Sequence, residues 1–135
     1  MSVPAPGSTL RLLAPLALMG AIFFFSAQPF DGQEFAWWEV VARKVGHFSG
    51  YAALAAACAW ALVGRVRRPL LFAAAISLAY SVSDEYHQTF VEGRHGTAMD
   101  VGIDALGIAT ALLLIRAREA RRRRGGPVKP RPAEA

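Results

Sequence analysis

With 135 residues, 54% of them hydrophobic and only 19% charged, the chain has room for one domain and carries less charge than the roughly 25% of an average soluble domain. Its net charge of +5 is concentrated at one end: residues 116–135 hold eight basic and two acidic side chains, and residues 1–115 hold seven basic and eight acidic ones. A basic tail on an oily body fits a membrane protein with an interfacial anchor, so no nucleic-acid partner is expected and the lipid bilayer is the first partner. The lone cysteine, Cys58, sits in an alanine-rich run, has no disulfide partner, and reads as a small packing residue.

Four apolar blocks follow one another. The first is Leu10 to Ala27, "LRLLAPLALMGAIFFFSA". Cleavage after Ala27 would put Phe25 three residues before the cut, where a signal peptide needs a small side chain, so a retained helix is expected. The second block, Val45 to Val63, and the fourth, Ala98 to Ile115, each approach the ~20 residues a spanning helix needs. The third runs from Pro69 and meets Asp84 after about 22 Å of helix, short of a hydrocarbon core of about 30 Å. To cross, it must continue through the charged stretch towards Phe90.

The connecting segments predict an orientation. Arg65, Arg67 and Arg68 follow the second block with no acid among them, and the C-terminal tail is densely basic. By the excess of Lys and Arg on cytoplasmic loops, both face the cytoplasm, as does the N-terminus. Segment 28–44, with Asp31, Glu34 and Glu39 against Arg43 and Lys44, and the link from Glu92 to Thr97 then face outward. Trp37 and Trp38 suit an interfacial place in the outer loop. The expected fold class is an all-α membrane protein with four transmembrane helices and both termini cytoplasmic. Residues 1–118 would form the transmembrane domain and 119–135 a basic, disordered cytoplasmic tail, stopped by Gly125, Gly126 and the prolines beyond.

Helical phase locates the polar residues. Lys44, His47 and Tyr51 fall at i, i+3 and i+7, on one face of the second block. Asp84, His87 and Gln88 share a face of the third, with Glu85 about 100° to one side. Asp100, Asp104 and Gly107 share a face of the fourth. Charge in the hydrocarbon zone costs about 2.5–3.5 kcal/mol per group on insertion scales, so such stripes face a bundle interior or a wet cavity. Three stripes at the outward helix ends predict one shared polar pocket. Salt bridges from Lys44 and Arg94 to Asp100 and Asp104 could serve structure alone, but the carboxylates outnumber the fixed cations, which favours function. Ser49, Ala53 and Ala57 form a small-residue ridge for helix packing. Gly102 and Gly107 thin the fourth helix, and Gly93 suits a turn with positive φ. His95 reads as a solvated loop residue.

These residues carry a resemblance. "KVGHFSGYAAL", "SDEYHQTFVEGRHG" and "DVGIDALGIATAL" resemble the motifs of the VanZ-like family of small bacterial membrane proteins. Lys44, His47 and Tyr51 match the first motif; Asp84, Glu85, Gln88, Phe90, Gly93 and Arg94 the second; Asp100 and Gly107 the third. Asp104 stands where the family pattern has asparagine, adding a charge. The resemblance implies a multi-pass protein of the bacterial plasma membrane, in a family named for a member linked to resistance to the glycopeptide teicoplanin.

Two functions remain open from sequence. One is an enzyme acting on a lipid-linked or cell-envelope substrate, with Asp84, Glu85, His47 and Asp100 as acid–base candidates. Lys44 and Arg94 would then grip an anionic group, and Tyr51, Gln88 and Asp104 would complete the ligand site. The other is a non-catalytic binder of a lipid headgroup, a peptidoglycan precursor or an amphiphilic antibiotic at the same residues. A transporter fits less well, because the polar groups stop halfway and no repeat is visible. No recognised metal motif and no Ser or Cys nucleophile signature is present, although Asp, Glu and His47 offer donors a divalent ion accepts. The sequence names no cofactor.

Overall fold

The computed structural model describes residues 9–29 and 36–125, which contain four α-helices and no strand. They are α1 (Leu13–Ser26), α2 (Trp37–Leu62), α3 (Pro69–Gln88) and α4 (Ala98–Arg124). Helix α2 starts eight residues before the expected Val45. Glu39 Oε2 accepts a hydrogen bond from the Ala36 backbone N–H at 2.8 Å, which satisfies an orphan donor at the helix start. Trp37 to Lys44, expected in an outer loop, is therefore the opening two turns of a helix. Residues 30–35 of that loop lie outside the described residues.

Pro69 opens α3 at the position where its missing N–H costs nothing. The helix then continues through Asp84 and Glu85 to Gln88, as the length argument requires. Gly93 follows with φ of 73°, the left-handed turn expected there. Thr97 caps α4 by accepting the Asp100 N–H on its side chain at 3.1 Å. At the other end, four arginines occupy the last turn of α4, where cations favour the helix dipole, and Gly125 is the C-cap. Helix α4 thus runs to Arg124 and stops at Gly125, as expected of the helix end; residues 126–135 lie outside the described residues.

Helix α2 is the centre of the bundle, packed most extensively on α4, then on α3, with α1 against its remaining side. The apolar core is Tyr51, Leu54, Ala55, Cys58 and Ala59 of α2 with Ala73, Ile108 and Leu112, which agrees with Cys58 as a packing residue. The ridge of Ser49, Ala53 and Ala57 is not the contact face: Ser49 and Ala53 are exposed. Burial instead follows the face that carries Tyr51. Gly107 is the small residue that sets the approach of α4, because a Cβ there would stand 2.2 Å from the Phe48 carbonyl oxygen. Gly102 meets nothing.

Large apolar side chains cover the outside, including Phe24, Trp60, Phe72, Val82, Leu106 and Leu113, while Asp84, Glu85, Gln88 and Asp104 are buried. A large apolar exterior over buried carboxylates is the arrangement a membrane bundle favours. Helices α2 and α4 are long and apolar enough to cross a membrane. Only 33% and 22% of their most apolar windows is buried, so they do not read as core helices of a soluble protein. Helix α1, at 14 residues, is apolar but shorter.

Candidate functional site

The three stripes meet at one end of the bundle. Lys44 Nζ donates to Asp100 Oδ1 at 2.5 Å, joining α2 to α4. One turn deeper, His47 Nδ1 lies 3.0 Å from Asp104 Oδ1 and 3.6 Å from Glu85 Oε1, so the imidazole touches α4 and α3 together. A further turn along α2, the Tyr51 hydroxyl donates to Asp84 Oδ2 at 3.2 Å. Each residue of the α2 stripe thus meets a carboxylate, and the helical repeat alone sets the order in depth.

The carboxylates are held from behind. Ser81 Oγ donates to Asp104 Oδ2 at 2.6 Å. Glu85 Oε2 accepts the Thr97 backbone N–H at 3.0 Å, and the Thr97 hydroxyl donates to Asp100 Oδ2 at 2.8 Å. Gln88 Nε2 reaches both Asp84 Oδ2, at 3.4 Å, and Glu85 Oε1, at 3.3 Å. Asp84, Glu85 and Asp104 are 4%, 5% and 0% exposed. Asp84 Oδ1 is buried without a hydrogen-bond partner among the described residues, an arrangement that buried polar groups avoid.

The structure therefore gathers Lys44, His47, Tyr51, Asp84, Glu85, Gln88, Asp100 and Asp104. Glu85, which the phase argument set to one side, faces the same centre because the Thr97 cap and α4 approach from that side. His87 goes elsewhere, with its ring 4.8 Å from that of Phe23 on α1. Phe90 is exposed. Arg94 makes no salt bridge with Asp100 or Asp104 among the described residues. Its Nε donates to Gln28 O at 2.8 Å and its Nη2 to Phe25 O at 2.9 Å, so it caps the end of α1. Burial, and behind it the like charge of Arg43, lowers the Arg94 pKa, but a guanidinium stays charged in proteins.

Ser81 and Thr97 were not singled out from sequence. Ser81 was legible: it precedes Asp84 and Glu85 by three and four residues, on the same helical face. Thr97 acts through a cap whose position depends on where α4 begins.

Two cavities open on this cluster. One, of about 200 Å³, is lined by Arg43, Lys44, His47, Arg94, His95 and Asp100 with Val40 and Gly93, so basic side chains dominate it. The other, of about 510 Å³, is a mostly apolar groove between α1 and α2, lined by Leu18, Ile22 and Phe25 among others. Arg43, His47 and Arg94 border both. His95, expected as a plain loop residue, faces the smaller cavity. Donor atoms of His47, Glu85 and Asp104 all lie within 4.8 Å of one another, close enough to share an ion.

The VanZ/LLP1 family model matches residues 11–119, which takes in α1 to α3, α4 as far as Glu119 and every residue of the cluster. The chain belongs to the VanZ family. No curated protein and no solved structure matches it. Family membership and the two helices of spanning length together point to a membrane protein. Both oxygens of Asp104 are engaged, Oδ1 with His47 and Oδ2 with Ser81.

Proposed function

We propose that this VanZ-family protein is a multi-pass protein of the bacterial plasma membrane. It crosses four times with both termini in the cytoplasm, and its transmembrane domain covers residues 1–118. Its site faces outward and binds an anionic amphiphile: a lipid-linked or cell-envelope precursor. The observation that carries this reading is the junction of the two cavities. An apolar groove of acyl-chain character runs into a basic cavity, and Arg43, His47 and Arg94 stand where the two join. An acyl chain in the groove would set a phosphate or carboxylate among Lys44, Arg43 and Arg94, where a guanidinium offers a two-pronged grip. An amphiphilic glycopeptide has the same two-part character, which accommodates the family's link to teicoplanin resistance.

A second reading, turnover of that ligand, is favoured by the His47–Asp104 pair. A carboxylate held by Ser81 pairs with the imidazole at Nδ1, and His47 lines both cavities, where its other ring nitrogen would serve as the acid–base group.

Extraction of envelope lipids from cells with and without the protein, followed by mass spectrometry, tests both. Co-purification of an anionic amphiphile that is lost on Lys44→Ala supports binding. A changed precursor profile that also depends on His47 supports turnover. A protein that carries no amphiphile and leaves the profile unchanged sinks both readings. Labelling of a cysteine introduced at position 94 from the cytoplasmic side alone would overturn the orientation.

A further inference from the structure

We propose that His47, Glu85 and Asp104 form a binding site for one divalent transition-metal ion of the Zn²⁺ or Mn²⁺ class. Each comes from a different helix, α2, α3 and α4. Bonds of about 2.0–2.2 Å to imidazole nitrogen and carboxylate oxygen put neighbouring ligand atoms about 2.8–3.6 Å apart, from octahedral to tetrahedral angles. The distances from His47 Nδ1 are 3.0 Å to Asp104 Oδ1 and 3.6 Å to Glu85 Oε1. One ligand atom from each of the three residues lies within 4.8 Å of the other two. One imidazole with two carboxylates suits zinc or manganese better than magnesium, which prefers oxygen alone.

Three further features support the site. Both carboxylates have the outer hydrogen bonds that orient metal ligands: Ser81 on Asp104, and Thr97 with Gln88 on Glu85. Charge is the second. Asp84, Glu85 and Asp104 are buried together, one Asp84 oxygen has no partner among the described residues, and Lys44 is engaged by Asp100. A protonated His47 would offset one of the three carboxylates, whereas a divalent ion would offset two. Third, of the three ligands only His47 lines the cavities. An ion would enter past it, and its remaining positions would be open to water or to an anionic oxygen of a ligand. The ion and the His47–Asp104 hydrogen bond use the same atoms, so only one can exist at a time. The site does not depend on the amphiphile reading.

The test uses the full chain, purified in detergent without a polyhistidine tag. Plasma mass spectrometry should find about one zinc or manganese per chain. After chelation, titration with Zn²⁺ or Mn²⁺ should raise Tm, with Mg²⁺ far less effective. Glu85→Gln should weaken binding by about 100-fold or more, and Ser81→Ala, which keeps all three ligands, by about 10-fold. Asp84→Asn should still bind one ion. Circular dichroism checks that each variant keeps its helices; if Glu85→Gln does not fold, Ser81→Ala decides. Wild-type protein that binds no ion, or the same affinity in wild type and Ser81→Ala, overturns the proposal.

Discussion

The two ends of the bundle use the same helices and opposite chemistry. At the end that holds Ala55, Ala59, Ala73 and Leu112, the core is built from small and aliphatic side chains. At the other end, α2, α3 and α4 meet through Lys44, His47 and Tyr51 against four carboxylates. Close packing of small side chains is one of the ways membrane helices associate. The polar end is the expensive one, because each buried charged group is costly to place in a membrane. The comparison makes that end the candidate for function.

The contrast can be broken most forcefully at Asp104. Asp104→Ala leaves His47 and Ser81 without their shared partner and should destabilise the bundle by about 3–5 kcal/mol, as loss of one member of a buried pair does. Denaturant titration in detergent micelles reads this, and ligand co-purification should vanish with it. Leu112→Ala at the apolar end should cost about 2–3 kcal/mol through its cavity but leave co-purified ligand unchanged. Equal loss of ligand in both variants would mean that the two ends are not separable. Gly107→Ala forces a Cβ against the Phe48 carbonyl and should cost about 1–3 kcal/mol by overpacking, with a lower Tm and weaker ligand retention, since Phe48 adjoins His47. Tyr51→Phe removes one hydrogen bond to Asp84 and sharpens the comparison at its boundary. The expected loss is about 1 kcal/mol, read by the same titration, with the helical content unchanged.

Much of the site was legible because a helix converts spacing into direction. Lys44, His47 and Tyr51 needed only the 100° step to fall on one face, and so did Asp84 with Gln88 and Asp100 with Asp104. The same reasoning misplaced the packing ridge, because Ser49, Ala53 and Ala57 are small but lie off the face that Tyr51 marks. The start of α2 was hidden by its polarity: Glu39 and Arg43 look like loop residues until Glu39 is seen capping Ala36. Arg94 was hidden for another reason. Its partners are backbone carbonyls of α1, and a carbonyl has no signature in a sequence. Glu85 required knowing which neighbour approaches from its side, a property of helix order around the bundle and not of any one helix.

Arg94 has a consequence beyond its place at the cavity. Helix α1 touches α3 only lightly and has no side chain in the carboxylate cluster. What fastens its end is a pair of bonds from one guanidinium to Phe25 and Gln28. A guanidinium has five N–H donors in a rigid plane, and two of them are taken by these carbonyls. An anion drawn to the same cation would share that plane, and any tilt of the guanidinium would reach α1 directly. Occupancy of the basic cavity and the fit of α1 are then linked quantities: what tightens one must shift the other by the same free energy. The apolar groove between α1 and α2 would widen or narrow with the charge held at its mouth.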